Sequence, residues 1–200
     1  VLHYGGVISD VNHQNSNMLE IGHKFSLKQI RFKTNFYKSK IDNIIYYDSS
    51  AFVNKNYGET THKGLDIETT IKHNKLSYNL NVSNVTSQFD TGSNKGKQLP
   101  MVANWKSNAS VKYNYNNHLK FLLSNDFVGS RYRIGDESNS SPKSKSYNLY
   151  NAGINYKLND LDISLKINNL FNKKHYHYET SGGVYPLSER NMSFGLKYLF

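Results

Sequence analysis

Two short clusters of arginine, tyrosine and histidine have the residue types and spacing that favour ligand chemistry. Arg131, Tyr132 and Arg133 follow one another. Guanidinium groups beside an aromatic ring can hold an anionic or catecholate-bearing ligand through charge-assisted hydrogen bonds and stacking. The same residues would also suit a surface rim that meets lipid phosphates or solvent. Tyr46 and Tyr47 have the same two interpretations, so both pairs are candidates for ligand binding.

The second cluster contains His175 and His177, which are two positions apart and would share one face of a strand. One interpretation is a metal or haem site. The other is an aromatic band, His-Tyr-His-Tyr, at a membrane interface. A metal site needs further ligands and supporting hydrogen bonds, and the sequence supplies no third ligand nearby. We therefore keep both histidines as ligand-binding candidates and expect no metal and no cofactor.

Acidic and nucleophilic residues do not form a pattern typical of catalysis. Asp66 and Glu68 are paired carboxylates at a strand spacing, but threonine and lysine flank them, as on a solvated wall. Serines are plentiful and histidines scattered, so no nucleophile–base–acid arrangement stands out. We expect that the protein is not an enzyme.

The candidate residues must be positioned by strands, and the end of the chain shows the pattern most clearly. Apolar and aromatic residues occupy every second position, and the positions between them are mostly small or polar. Such a strand has one apolar and one polar face, as in an outer-membrane barrel, where one face meets lipid and the other the lumen. The apolar set, which we interpret as a membrane and assembly signature, is Met192, Phe194, Leu196, Tyr198 and Phe200.

The same alternation recurs along the chain and predicts nine strands. Short turns and longer connections alternate between them, which is typical of an up-and-down barrel with tight periplasmic turns and larger extracellular loops. We expect long loops at about residues 90–100 and 135–144, intermediate connections elsewhere, and strands that project above the membrane at the second, third and eighth positions. The predicted strands are residues 16–25, 29–47, 54–73, 76–89, 102–115, 119–134, 145–158, one from 161 onward, and the terminal strand.

Composition agrees with this fold class, an all-β, antiparallel transmembrane barrel. The chain has 200 residues, a mean hydropathy of −0.68, 14% aromatic residues and no cysteine. No stretch approaches the roughly 18 apolar residues of a spanning helix. The net charge of +10 is scattered rather than clustered, which favours anionic lipid headgroups or anionic ligands over nucleic acid.

The carboxyl-terminal part of the chain resembles TonB-dependent outer-membrane receptors. Asn169-Leu-Phe-Asn-Lys173 is similar to the family's "NLFxKxY" segment, and it is followed by an aromatic-rich loop and the strand that ends at Phe200. Ser188-Glu189 stands where many members have Pro-Gly. Two internal segments, residues 64–68 and 96–100, resemble the family's "GxE" strand and "GxxLP" loop.

The resemblance implies a 22-stranded barrel with an amino-terminal plug inside it. Residues 1–200 would be the carboxyl-terminal portion, about nine strands, with the plug outside this chain; an odd number of strands agrees with a piece of a larger barrel. The implied location is the outer membrane of a Gram-negative cell. The implied partners are the TonB complex, acting through the plug region, outer-membrane lipid and lipopolysaccharide, and a ferric siderophore or other metal chelate.

The function implied is TonB-energised uptake of a scarce ligand, foremost a ferric siderophore. Haem, cobalamin, a copper chelate and a saccharide stay open, because loops set specificity in such barrels. The alternative is a small complete barrel that acts as an adhesin or structural surface protein. It requires an even strand number, with a further strand within residues 1–11.

Overall fold

The computed structural model describes residues 11–48, 51, 53–180 and 183–198. The described chain is built of β-strands and the connections between them, and no helix within it is long and apolar enough to cross a membrane. The strands are β1 (Asn15–Leu27), β2 (Ile30–Asp42), β3 (Ile44–Asp48), β4 (Val53–Tyr57), β5 (Thr60–His73), β6 (Leu76–Phe89), β7 (Trp105–Asn114), β8 (Leu119–Val128), β9 (Tyr147–Leu158), β10 (Leu161–Asn168), β11 (Tyr176–Thr180), β12 (Gly183–Pro186) and β13 (Asn191–Tyr198).

Nine of these strands form one antiparallel sheet in the order β1-β2-β5-β6-β7-β8-β9-β10-β13. Each strand pairs with the next along the chain, apart from two small hairpins, β3–β4 and β11–β12, which form separate two-stranded sheets. The predicted nine-stranded meander is therefore confirmed.

Several predicted strand boundaries are wrong, because local breaks interrupt the alternation. The second and third predicted strands each divide into a sheet strand and a hairpin strand. Asn43, with φ of +55°, breaks the chain after β2, and residues 58–59 break it before β5. The eighth strand does not project but stops at Asn168, before Asn169 with φ of +51°. The sixth stops at Val128, short of residue 134.

The two faces of the sheet are sorted by polarity across the whole register. One cross-strand row contains Gly22, Asn35, Asp66, Ser83 and Lys106. The neighbouring row, one residue along each strand, presents the opposite face, with Ile21, Phe36, Leu65, Asn84 and Trp105. Because side chains alternate between faces, one face is polar and the other is apolar over most of its length.

The polar face is concave and the apolar face is outside. A cavity of about 950 Å³ lies against the polar face and is lined by residues of six consecutive sheet strands, from Glu20 on β1 to Asp126 on β8. On the other face, Leu19 is 68% exposed and Phe194 is 70% exposed. Within the described residues, the buried hydrophobic side chains are only Phe89, Leu99 and Ala103. An apolar face of this extent needs a cover other than water.

Connections at the two ends of the sheet differ sharply. At one end, tight turns join β1 to β2, β5 to β6 and β9 to β10, and Lys28, Asn74 and Asn159 adopt positive φ there. Asparagine tolerates this conformation better than most residues. At the other end are four long connections, where the sequence predicted two long and two intermediate ones. We call them loop L1 (43–59), loop L2 (90–104), loop L3 (129–146) and loop L4 (169–190).

Close packing on the polar face depends on one glycine. The ring of Tyr37 on β2 lies over its cross-strand partner Gly64 on β5. A Cβ atom at Gly64 would lie 2.2 Å from Cζ of that ring, far inside contact distance. Glycine is therefore required where the tyrosine crosses the strand.

Candidate functional site: the long-loop cluster

The four long loops contact one another and form a single cluster at one rim of the sheet. Each loop joins two strands of the main sheet, so the sheet fixes the positions of its two ends. Loop L1 contacts L2 and L3, L2 contacts L3, and L3 contacts L4. We call this assembly the long-loop cluster, and it contains every predicted ligand-binding residue.

Loops L1 and L2 are joined by backbone and aromatic contacts. The N–H of Asp90 donates to the carbonyl of Glu59 at 2.8 Å, and the N–H of Glu59 donates to Oγ1 of Thr91, also at 2.8 Å. The rings of Tyr57 and Phe89 lie 5.8 Å apart. Phe89 is 3% exposed, so these rings supply part of the small buried core that supports the cluster.

Tyr46 connects L1 to L3. Its hydroxyl donates to the carboxylate of Glu137 and accepts the backbone N–H of Gly135 at 3.1 Å. Its ring also packs edge-on against Tyr57, with centroids 5.1 Å apart. The predicted candidate Tyr46 is thus placed at the centre of the cluster, whereas the side chain of Tyr47 lies outside the described residues.

Loops L2 and L3 are joined by a reciprocal amide pair and by the backbone N–H of Met101, which donates to the carbonyl of Tyr132 at 3.0 Å. Gln98 donates its backbone N–H to Oδ1 of Asn139 at 2.7 Å, and Nδ2 of Asn139 donates to the carbonyl of Gln98 at 2.9 Å. Lys143 adds a hydrogen bond to Oε1 of Gln98 at 3.0 Å. The Lys143 ammonium also lies 4.5 Å from the ring centroid of Tyr132, as in a cation–π contact. The candidate Tyr132 therefore shows one ring face to a lysine.

A carboxylate fixes the fold of L3 itself. Asp136 is 7% exposed and accepts the backbone N–H groups of Ser140 at 2.8 Å and Ser141 at 3.1 Å. Hydroxyl groups of Ser138 and Ser140 also donate to it. A carboxylate with this many donors stays buried without a paired cation, because hydrogen bonds replace its hydration.

Arg131 joins L3 to L4 from a buried position. It is 5% exposed, and Nη2 donates to the carbonyls of Tyr176 at 3.3 Å and His177 at 2.5 Å. Its guanidinium lies 5.7 Å from the ring centroid of Tyr147. The sequence predicted that Arg131 binds a ligand at the surface, but in the structure its Nη2 donates to main-chain carbonyls. Contact of Arg131 with a ligand stays a prediction.

Arg133 makes a second connection between the same loops. Its Nε lies 2.9 Å from Oε2 of Glu179, which also accepts the hydroxyl of Ser144 at 2.8 Å. The Glu179 side chain is 14% exposed, whereas that of Arg133 is 42% exposed. Of the two arginines, Arg133 is therefore the one that still presents charge to solvent.

His175 and His177 do not form the shared strand face that the sequence predicted. His175 precedes β11, and the pairing of β11 with β12 shifts between Tyr176 and Tyr178. The His175 ring packs against Tyr147 at 4.9 Å. Burial, and then the charge of Lys173, lower the pKa of His175. Among the described residues, no three histidines, cysteines or acids are grouped so that they could hold a metal ion.

Asn169 fixes the start of L4 and was missed as a functional residue by sequence reasoning. It has φ of +51° and is 4% exposed. Its Oδ1 accepts the N–H of Lys173 at 2.9 Å, and its Nδ2 donates to the carbonyls of Lys173 at 2.8 Å and Ser188 at 3.2 Å. The first and last parts of L4 are therefore held together by one side chain. Asn169 opens the "NLF" segment, which could have marked it.

The apolar convex face, the polar cavity and the two unlike rims define the wall of an outer-membrane β-barrel. The apolar face contacts lipid, and the tight turns and the long-loop cluster lie on the periplasmic and extracellular sides. Met192, Phe194, Leu196 and Tyr198 of β13 lie on the lipid face with 57–70% of their surface exposed. Phe200 lies outside the described residues, and a role of this set in assembly stays a prediction.

Comparison with known proteins agrees with this class. A family model described as "TonB dependent receptor-like, beta-barrel" matches residues 9–170, and the chain belongs to that family. Its members are transport receptors of the outer membrane, the location predicted from the sequence.

Solved structures share the fold at low sequence identity. The ferric yersiniabactin uptake receptor FyuA from Yersinia pestis is 16% identical, with a TM-score of 0.76 over 92% of this chain and 30% of that one. The copper transporter OprC is 13% identical, with a TM-score of 0.78 over 94% of this chain and 31% of that one. The FrpB iron transporter from Neisseria meningitidis (F3-3 variant) is 18% identical, with a TM-score of 0.74 over 96% and 32%. The chain spans about a third of the length of these structures.

Proposed function

We propose that this chain is the carboxyl-terminal barrel wall of a receptor that takes up a ferric siderophore with energy from the TonB complex. The long-loop cluster would bind the chelate outside the cell. A plug domain, encoded amino-terminal to this wall, would close the barrel and contact TonB. No covalent chemistry is part of the proposal, because transport needs only binding and release.

The observation that carries the proposal is that all four long loops interlock above a wide, polar, concave wall. A rim fixed by inter-loop hydrogen bonds can present a shaped surface to a ligand too large for a simple pore. Similar structures are named for ferric yersiniabactin uptake, ferric-catecholate import and ferric citrate transport. These names support iron chelates as the first class to test, although OprC is named for copper.

Three candidates have a suitable place for contact with an anionic, aromatic chelate. The Arg133 side chain is 42% exposed, Tyr132 has a ring that already attracts a cation, and Tyr46 lies between L1 and L3. A guanidinium and an aromatic ring together bind planar anionic oxygen donors by charge and stacking. Arg131 would act by positioning L4 rather than by touching the ligand.

The test is uptake by the full receptor in iron-limited cells, with radiolabelled iron bound to catecholate, hydroxamate or citrate chelators. We expect one class to be taken up, loss of uptake when the gene for TonB is deleted, and at least about tenfold weaker binding of that class by Arg133→Ala, the fold-change for one lost charged contact. Lys120→Ala, on the polar face near the periplasmic turns, is the matched control and should bind normally. Uptake that persists without TonB, or a receptor that binds none of the three chelates, would contradict the proposal.

A further inference from the structure

A pair of lysines on the lipid face has no partner within the described chain. Lys38 on β2 and Lys63 on β5 are directly opposite in the cross-strand register, in the row that starts at Leu19. Both are exposed, and neither makes an ion pair with another described residue. Like charges directly opposite one another on a sheet repel, since their Cβ atoms are about 5 Å apart. The pair therefore costs stability unless something anionic lies between its ammonium groups.

The next lysine along this face, Lys40, is neutralised by a carboxylate of the same chain. Lys40 lies two residues beyond Lys38, so it points to the same side of β2. Its Nζ is 2.8 Å from Oε2 of Glu59. Among the described residues, a carboxylate thus pairs with the lysine nearest the loops, and none pairs with Lys38 or Lys63.

The unpaired lysines sit at the boundary of the apolar band. The row on the periplasmic side of them contains Ile21, Phe36 and Leu65 on the same three strands. The lysines lie two residues, about 7 Å along the strand, closer to the long-loop cluster, at the extracellular end of this apolar row.

The same residues line a groove on the outer surface. Its volume is about 400 Å³, and its walls combine both lysines with Leu19, Ile21, Phe36 and Leu65. Asn84 and Thr86 of β6 complete one side with hydrogen-bonding groups. A groove with cations at the outer end and aliphatic walls toward the membrane centre matches a lipid with a phosphate and an acyl chain.

We propose that the groove formed by Lys38, Lys63 and the four apolar residues binds lipopolysaccharide through a phosphate of its lipid A. The phosphate lies between the two ammonium groups and removes their repulsion. An acyl chain lies along Ile21, Phe36 and Leu65. Lipopolysaccharide is the occupant favoured by depth, because it carries the phosphate of the extracellular leaflet. The site is separate from the long-loop cluster and does not depend on which ligand the receptor imports.

The test measures binding of lipid A to the full, delipidated receptor in detergent, by native mass spectrometry over a concentration series. Replacement of both lysines, K38Q with K63Q, should weaken binding about thirtyfold, since each lysine near an anionic lipid surface contributes roughly fivefold. The matched control is K24Q with K33Q. These two lysines are also directly opposite each other on the same sheet, but on the polar face. They should change lipid binding less than twofold.

A second arm does not depend on the variants folding. The unchanged receptor is titrated with lipid A whose phosphates have been removed enzymatically, and we expect a similar loss of affinity. Equal binding by K38Q/K63Q and the unchanged receptor, equal losses in both double variants, or unchanged binding of the dephosphorylated lipid would each overturn the proposal. Equally tight binding of phosphatidylglycerol would overturn the assignment to lipopolysaccharide. None of these outcomes bears on ligand uptake.

Discussion

Replacement of Asn169 by alanine should strongly destabilise the start of L4. Three side-chain hydrogen bonds are lost, to the N–H and carbonyl of Lys173 and to the carbonyl of Ser188. Each is worth about 1 kcal/mol. Alanine at φ of +51° adds about 1 kcal/mol of backbone strain. The expected loss in the free energy of unfolding is about 4 kcal/mol.

Two further variants separate the backbone cost from the side-chain cost. Asn159 has φ of +50° in an exposed periplasmic turn, and its side chain makes no hydrogen bond within the described residues. Asn159→Ala should therefore cost only the strain, about 1 kcal/mol. Asn169→Gly loses the same three hydrogen bonds, but glycine adopts positive φ without strain. It should therefore cost about 3 kcal/mol.

The assay is urea unfolding of the full receptor in lipid vesicles, followed by tryptophan fluorescence and by heat-dependent mobility on gels. Hydrogen exchange at residues 183–190 reports whether L4 alone has loosened. If Asn169→Ala and Asn159→Ala lose the same stability, then the Asn169 side chain does not hold L4, and the reasoning from its hydrogen bonds is wrong.

Three other changes test single contacts. Gly64→Ala should cost about 1–3 kcal/mol, because its Cβ would overlap the Tyr37 ring, and Tyr37→Ala should recover most of that loss in the same unfolding assay. Glu179→Gln should break the ion pair with Arg133 and raise hydrogen exchange in β11 and β12 at least several-fold. Because the pKa of His175 is lowered in the folded protein, the neutral ring contributes fully to folding stability above its ordinary pKa of about 6.5. That stability is lost as the pH falls below this value, since protonation then favours the unfolded state. Exchange in L4, measured relative to the intrinsic amide exchange rate at each pH, should therefore rise between pH 7.5 and 5, and His175→Phe should flatten that dependence.

The controls use residues with the same chemistry and less packing. Gly22→Ala should be nearly neutral, since its Cβ would meet its nearest neighbour at an ordinary 3.6 Å. Glu68→Gln breaks an ion pair whose two side chains are more than half exposed, and exposed pairs contribute little. A large loss in either control, or unchanged exchange in Glu179→Gln, would mean that burial does not decide which contacts hold the barrel and its loops.

The alternation of polarity was sufficient to predict the main sheet, because each strand has one face toward lipid and one toward water. Leu161, Ile163 and Leu165 on β10, for example, are all on the lipid face. Strand ends were predicted less well. Asn43 and Asn169 continue a polar or alternating pattern, but they adopt positive φ and turn the chain away from the sheet.

The long-loop cluster could be located from the sequence but not resolved into contacts. Gln98 and Asn139 are 41 residues apart, and Tyr46 and Glu137 are 91 apart, so no local pattern signals either pair. Arg131 was interpreted as an exposed rim residue from its neighbours alone. Arg131 is buried because it donates to main-chain carbonyls of L4. Every residue has such a carbonyl, so the sequence does not indicate which ones an arginine will contact.

The sorting of side chains onto two faces also bears on how the protein reaches its destination. Because only every other residue of a strand is apolar, no stretch of the unfolded chain is hydrophobic enough to be inserted into the inner membrane as a spanning helix. The nascent polypeptide can be threaded through to the far side while still soluble enough to be escorted. A continuous apolar face forms only when the strands pair. Insertion is therefore coupled to folding and takes place at the outer membrane.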